Sequence, residues 1–565
     1  MEINILIGGA AGQGVETIAA LLGKVMLRSG YGLCLDKDYM SRVRGGHNFS
    51  RLRIAGETPW CAAGKVDILV SMDQETYFIH QDTLQEKSRI IYDPESFSLP
   101  QEEKRGVPVP LQRLAKEAGG AVMANTVAVG AVLVVLGMDT APGEELLQEM
   151  FAHKEGMVEK NIMALKKGYK EASHHCSACF SMPEKKIDEK RLFIDGNEVL
   201  GMSALASGCR FLSAYPMTPS TGIMNYLAGK QEYGVVVEQA EDEIAAINMV
   251  LGASYAGVRS LTCTSGGGFA LMVEGLSLAG MTETPAVIVM GMRPGPATGL
   301  PTRTEQGDLE FVLHAGHGEF PRAVLSATHL EDAFYRLNKA FYLADKYQVP
   351  VIFLTDQNFA DSARSVPPFD FQRLNYERHL VEEKGLIRPY QRYRITEDGI
   401  SPRALPGQFS GEVVLADSDE HDEKGNIIED ADTRRRMVEK RLRKQTGLAS
   451  EMEEPALYGH QDPDILLMGW GSTYGALRET VDTLGGQGRK AALLHFSDLW
   501  PLPVTAVSEF LASVDKSFCV ENNATGQFAA LLRRETGLEV DHKILKYDGR
   551  PFMPEEILQE VQKNV

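Results

Sequence analysis

Between Tyr215 and Asp308 the chain carries a carboxylate, a hydroxyl and a guanidinium, each in a setting that would fix its position. Glu241-Asp242-Glu243 opens an alanine-rich run with helical spacing, and Ala245, Ala246, Gly252, Ala253 and Gly257 let such a helix lie close to a neighbour. A carboxylate in a first helical turn is favoured by the helix dipole alone. Against a tight apolar interface it is also desolvated, which suits a general acid or base. In Tyr215-Pro216-Met217-Thr218-Pro219-Ser220, Pro216 and Pro219 stiffen the loop around Thr218 and aim its hydroxyl. Ser220 or Thr221 is placed to cap a helix over residues 222–228. Residues 295–308, GPATGLPTRTEQGD, form a Gly/Pro-punctuated loop after a strand, where α/β proteins hold ligand groups. Arg303 in that loop is a candidate fork for a carboxylate. Arg293 competes for the role from nearer the strand end, and a plain ion pair of Arg303 with Glu305 or Asp308 is the alternative. Gly266 and Gly267, in Thr264-Ser265-Gly266-Gly267-Gly268-Phe269, form a side-chain-free turn suited to close approach by a cofactor.

These residues need strands and helices to hold them. Short apolar runs alternate with helical periods along most of the chain, which predicts α/β architecture with mostly parallel sheets. A first unit is expected over 1–172, with a strand at 3–7, a helix at 15–29, a strand at 66–72 and a buried helix at 125–138. Residues 173–190 read as a linker. A second α/β domain is expected over 191–365, with strands at 234–237, 260–264, 286–292 and 349–354. Residues 366–455 read as an irregular connecting segment ending in a charged helix at 432–444. A last α/β domain is expected over 456–565, with strands at 464–469, 491–495 and 517–520.

Other motifs have plainer readings. Gly9, Gly12 and Gly14 lack the Gly-x-Gly-x-x-Gly spacing of a dinucleotide site, although a glycine turn onto a helix can cradle an anion. Arg42, Arg44 and His47 form a small basic cluster that reads as exposed charge. Cys176 and Cys179, preceded by His174 and His175, read as linker, with metal binding as the alternative. Residues 418–430, SDEHDEKGNIIED, lack the order of a calcium loop and read as a solvated loop.

At 565 residues the chain needs several cores. Net charge of -19 argues against nucleic-acid and anionic-membrane surfaces. Seven scattered cysteines point to a reducing compartment, and no spanning segment or signal peptide is visible, so a cytoplasmic protein is expected.

Together YPMTPST, EDEIAAINMVLGASYAG and GPATGLPTRTEQGDL resemble the α subunit of the 2-oxoacid:ferredoxin oxidoreductases. GGAAGQGVETIA and SRVRGGHN resemble that family's γ domain, here fused at the N-terminus. DILLMGWGSTYGA and VENNATGQFA are similar to its transketolase-like C-terminal domain. The resemblance covers nearly the whole chain; Met217 stands where isoleucine is usual. It implies a γ-type α/β domain, a pyrimidine-side thiamine-diphosphate-binding-fold domain and a transketolase C-terminal-like domain. It implies coenzyme A-dependent oxidative decarboxylation of a 2-oxoacid, 2-oxoglutarate foremost, with reduction of ferredoxin. Glu243 would hold the cofactor's pyrimidine, Pro216, Gly266 and Gly267 would line the cofactor, and Thr218 and Arg303 would hold the substrate. The chain has no Gly-Asp-Gly and no cysteine run. The resemblance therefore implies a β subunit bearing the diphosphate and Mg²⁺ site and the [4Fe-4S] clusters, in a heterodimer or dimer of heterodimers. A non-catalytic assembly or regulatory subunit on the same fold is the alternative.

Overall fold

The computed structural model describes residues 2–41, 46–183 and 190–565, and it divides into two compact units. The first comprises residues 1–194 with 361–368, and the second comprises 195–360 with 369–565.

The first unit is built on an eight-stranded sheet. Its strands are β1 (Glu2–Ala10), β2 (Gly32–Asp38), β3 (His47–Ala55), β4 (Val66–Ser71), β5 (Leu84–Tyr92), β6 (Gly106–Pro108) and β7 (Leu192–Asp195), with Ala363–Val366 inserted between β2 and β7. β6, β5, β4 and β1 run parallel, whereas β3 pairs antiparallel with β1 and β2, and Ala363–Val366 pairs antiparallel with β2. The sheet is therefore mixed, not mostly parallel. β2 and β3 follow α1 (Val15–Arg28) as an antiparallel pair, so no crossover helix forces them parallel. The domain boundary expected at 365 also shifts, because residues 363–366 supply a strand to this sheet. α2 (Ala124–Val135) is apolar all round and buried, and it packs on α3 (Met157–Ser173). Side chains are excluded at the crossing, where Gly130 abuts Leu165 O and Gly168 abuts Val127 O.

The second unit holds two sheets. The larger contains β8 (Phe211–Ala214), β9 (Val236–Gln239), β10 (Ser260–Thr264), β11 (Ala286–Met292), β12 (Ala323–Leu325) and β13 (Pro350–Asp356), all parallel, in the order β12-β13-β11-β10-β8-β9. Asp498–Trp500 adds an antiparallel edge to β12. β11 reads AVIVMGM and is buried throughout, as expected of an interior parallel strand covered on both faces. The helices between the strands are α4 (Thr221–Ala228), α5 (Glu243–Tyr255), α6 (Gly266–Met281), the short α7 (Leu309–His314) and α8 (Leu330–Tyr347). From β8 the chain passes through α4 to β9 on one side, then through α5 to β10 on the other. The direction of winding thus reverses between β8 and β10. In open α/β sheets, ligands bind beyond the carboxyl ends of the strands at such a point.

The smaller sheet has the order Leu457–Gly459, Ala491–Phe496, Ile465–Trp470, Lys516–Glu521, His542–Leu545. The charged helix α9 (Ala431–Glu451) is longer than expected, and three of its charges, Lys440, Arg441 and Lys444, are inside the protein. Lys440 and Lys444 are buried against the buried Glu283, with Lys440 Nζ 2.5 Å from Glu283 Oε1. Burial opposes ionisation of Glu283, yet Lys440, Lys444 and Arg392 together hold its carboxyl well below the usual range. Burial pushes Lys440 down to about 7 against the attraction of Glu283. The connecting segment is thereby pinned to the β10–β11 region by an ion cluster that its composition alone reads as solvated.

Candidate functional site

Four loops leave the carboxyl ends of four neighbouring strands, and they hold all the residues singled out between Tyr215 and Asp308. The loop after β9 leads into Glu243, the first residue of α5. Asp242 is the cap: its Oδ1 accepts a hydrogen bond from the Ala245 N–H at 2.8 Å. With Asp242 doing the capping, Glu243 is left free of that work. Its side chain is 4% exposed and has no hydrogen-bond partner among the described residues.

What lies against it is glycine. A methyl group on Gly268, in the first turn of α6, would sit 2.6 Å from Glu243 Oε1 and closer still to Thr264 Oγ1. Gly266 stands in the same relation to Asp308, at 2.6 Å from Oδ2. Gly267 is exposed and meets nothing within 4 Å. The glycine that fits the carboxylate is therefore Gly268, which sequence reasoning passed over in favour of Gly266 and Gly267. The signal was present: three consecutive glycines after a strand, of which the helical turn selects one. Ser265, directly before them, is fully buried, and its Oγ has no hydrogen-bond partner among the described residues.

The loop after β8 carries half-buried Pro216 and Thr218. Ser220 stands at the N-cap position of α4 but makes no capping bond; its hydroxyl contacts Met217 O at 3.0 Å and Thr264 O at 2.9 Å. The expected cap is thus a tie between the β8 and β10 loops, which draws Thr218 toward the Gly266–Gly268 turn. Gly291 of β11 supports Pro219 from beneath. Arg293 donates from Nη1 to Thr218 O at 2.8 Å, and burial lowers its pKa.

Arg303 is half-buried, and its Cβ lies 3.1 Å from where a methyl group on Gly549 would stand. The residues that follow it are stitched to the C-terminal sheet. Asn522 N–H donates to Gln306 Oε1 at 3.0 Å, Asn523 Nδ2 to Gln306 O at 3.1 Å, and Gln527 Nε2 to Gly307 O at 2.7 Å. Gln306 Nε2 in turn reaches Trp470 O at 2.7 Å. The motifs at 469–475 and 522–527 thus hold the arginine loop in place. Asp308, at the end of that loop, is pushed up to about 6 by burial, and Glu305 is raised by burial and by Asp308. Asp308 makes no hydrogen bond to another described residue through its side chain.

Three regions of the chain match known families. Residues 202–440 match "Pyruvate flavodoxin/ferredoxin oxidoreductase, thiamine diP-bdg", residues 4–171 "Pyruvate ferredoxin/flavodoxin oxidoreductase", and residues 463–557 "Pyruvate:ferredoxin oxidoreductase core domain II". A 2-oxoacid:ferredoxin oxidoreductase subunit alpha from Sulfolobus sp is 34% identical, over 99% of this chain and 96% of that protein. The chain belongs to the 2-oxoacid:ferredoxin oxidoreductase alpha subunits. Another relative, a 2-oxoglutarate synthase subunit from Archaeoglobus fulgidus, is 32% identical over 65% of this chain and 98% of its own length. A solved 2-oxoglutarate:ferredoxin oxidoreductase from Magnetococcus marinus, with 2-oxoglutarate, coenzyme A and succinyl-CoA bound, superposes with a TM-score of 0.93. It is 32% identical and covers 100% of this chain and 99% of that one.

As an oxidoreductase subunit with a thiamine-diphosphate-binding domain, the alpha chain has a carboxylate that fits the cofactor. Glu243 is buried, unpartnered and faced by a glycine, so it can give a hydrogen bond to, or take one from, a ring nitrogen brought against it.

Several expectations change elsewhere in the alpha chain. Arg42 and Arg44 lie outside the described residues. His47 is buried, with Nε2 2.8 Å from His80 Nε2, and burial lowers the pKa of both rings, His80 to about 3. It is thus a neutral interior residue and not exposed charge. Gly14 packs tightly on Asn125, as a close strand–helix turn requires, while Gly12 lines a cavity of about 550 Å³ with Gln13, Asp73, Asp93 and Asn125. Residues 418–430 form a largely exposed loop, as expected, anchored by Glu420, ion-paired to Arg434 and Arg441, and by His421, fully buried against Tyr393. Cys176 and Cys179 are joined as a disulfide, against the expectation of a plain linker. No group of three or more His, Cys, Asp or Glu suited to a metal occurs among the described residues. None of the helices in the described residues is long and apolar enough to cross a membrane.

Proposed function

We propose that this alpha subunit contributes the pyrimidine-side half of a shared thiamine diphosphate site, where 2-oxoglutarate is oxidatively decarboxylated to its acyl-CoA. The observation that carries the reading is the buried, unpartnered Glu243 carboxylate against Gly268. Bound there, thiamine diphosphate supplies the carbon nucleophile and electron sink that 2-oxoacid decarboxylation needs. Glu243 holds a proton at its carboxyl oxygen and shares it with the aminopyrimidine ring. Pro216 and the Gly266–Gly267 turn line the cofactor. Thr218 gives its hydroxyl, and Arg303 its guanidinium, to the substrate carboxylate, fixing the bond that must break.

α5 and α6, the helices that begin at this carboxylate and at its facing glycines, expose Ile244, Met249 and Leu271. Such apolar residues suit a beta subunit carrying the diphosphate grip, Mg²⁺ and the [4Fe-4S] clusters that pass electrons to ferredoxin. With no Gly-Asp-Gly in the chain, the diphosphate grip is assigned to that partner. The preference for 2-oxoglutarate rests on the relatives named above.

Glu243→Gln in the assembled enzyme tests the reading. Loss of a general acid–base group lowers 2-oxoglutarate-dependent ferredoxin reduction by about 10²–10⁴-fold, with subunit assembly unchanged by gel filtration. A near-normal rate in that variant removes Glu243 from the mechanism.

A further inference from the structure

Outside the site, the strongest unassigned chemistry lies in the first unit, where residues 176–182 dock on the end of α2. Ala178 N–H donates to Val134 O at 2.9 Å, Phe180 N–H to Val135 O at 3.0 Å, and Met182 N–H to Leu136 O at 3.2 Å. These bonds satisfy carbonyls that a helix end otherwise leaves open, so the backbone around the two cysteines is fixed by the scaffold. Cys176 and Cys179 have their Cα atoms 5.8 Å apart, within the range a disulfide requires.

The two sulfurs are not equivalent. Cys176 is buried, whereas Cys179 is exposed. Arg89, on β5, brings Nε to 3.3 Å from Cys179 Sγ. A guanidinium beside an accessible sulfur favours the thiolate, the nucleophilic form. The arrangement is an exposed attacking sulfur, a sheltered resolving sulfur three residues away and a fixed cation. The other five cysteines are not disulfide-bonded and lack the exposure, four being buried and Cys61 half-buried.

We propose that Cys176 and Cys179 form a redox-active dithiol that exchanges with low-molecular-weight disulfides. The Cys179 thiolate attacks one sulfur of a disulfide RS–SR; that S–S bond breaks, RS⁻ leaves and takes a proton, and a mixed disulfide forms on Cys179. The Cys176 thiol then gives up its proton, attacks Cys179 Sγ and expels the second RS⁻, which is protonated in turn. The pair is oxidised by two electrons, and one disulfide becomes two thiols. Excess RSH runs the sequence backwards.

The test uses the full chain in its assembled complex, equilibrated in glutathione buffers of graded ratio, quenched in acid and tagged by alkylation. Peptide mass spectrometry reads the tags on 176 and 179. The expected result is one transition in which both tags are lost together as oxidised glutathione rises. Cys176→Ser is expected to stop with glutathione on Cys179. In reduced complex, Arg89→Gln should slow iodoacetamide alkylation of Cys179 near pH 7 by about tenfold, and Arg89→Lys should restore most of the rate. Two tags on the pair at every glutathione ratio would overturn the proposal. So would absence of the mixed disulfide in Cys176→Ser, or an Arg89→Gln rate equal to wild type.

Discussion

Gly268 offers the sharpest handle on the carboxylate proposed to meet the cofactor. In Gly268→Ala the new methyl group stands 2.6 Å from Glu243 Oε1, whereas ordinary contact begins at 3.4 Å, so the carboxylate or the helix must yield by about 0.8 Å. Thr264 Oγ1 lies closer still, at 2.2 Å from the same methyl group. Overpacking of this kind costs about 1–3 kcal/mol of stability. A displacement approaching 1 Å at a group that must meet a ring nitrogen costs about 10²-fold in rate. The matched variant is Gly267→Ala, one residue away in the same helical turn. There the methyl group meets nothing within 4 Å, and alanine is favoured over glycine in a helix by about 0.5–1 kcal/mol. The assay is thermal melting of the isolated chain together with single-turnover oxidation of 2-oxoacid by the assembled complex at saturating thiamine diphosphate. Gly268→Ala should lose both stability and rate, and Gly267→Ala should keep its melting temperature or raise it. A folded Gly268→Ala complex turning over within about twofold of wild type would refute the reasoning, because Glu243 would then be indifferent to a shift of the size that catalytic positioning forbids.

Three further perturbations address other parts of the structure. Arg303→Ala is expected to raise KM for the 2-oxoacid strongly with assembly intact; an unchanged KM, with the rise found instead in Arg293→Ala, transfers carboxylate binding to the arginine that already holds Thr218 O. Glu283→Gln leaves Lys440 and Lys444 buried without their counter-charge, and removing one partner of such a cluster costs about 3–5 kcal/mol, read as a lowered midpoint in urea; an unchanged midpoint contradicts the assigned role. Asp308 is raised by burial from 3.8 to about 6, so its contribution is fully present below pH 4 and is lost as pH rises through 6. Asp308→Asn should therefore gain up to about 3 kcal/mol on wild type between pH 4 and pH 7, and a difference in stability that stays flat across that window counts against a desolvated carboxyl there.

Strand β11 was read at its observed limits, 286–292, because a buried parallel strand is an unbroken apolar run with polar ends, and β10 matches at 260–264 although three of its five residues carry hydroxyls. α5 was legible from its acidic start and small-residue interior, for which local chemistry sufficed, whereas the choice of Glu243 within that start came from the family resemblance. The antiparallel turn of β2 and β3 was not legible, nor was the strand that residues 363–366 lend to a distant sheet, since pairing partners far apart in sequence leave no local trace.

The same division runs through the site. Residue type and spacing determined that a carboxylate, a hydroxyl and a guanidinium stand on loops after strands, and the motifs along the chain sufficed to suggest the family. Only the tertiary structure decided which glycine faces Glu243, which arginine holds the Thr218 loop, and that Asn522, Asn523 and Gln527 brace the loop of Arg303. It also decided that Lys440 and Lys444, charged residues on a polar-looking helix, belong inside. The reason is physical. Helical phase and strand ends follow from neighbours along the chain, whereas desolvation, steric exclusion and ion pairing depend on atoms brought together from hundreds of residues away.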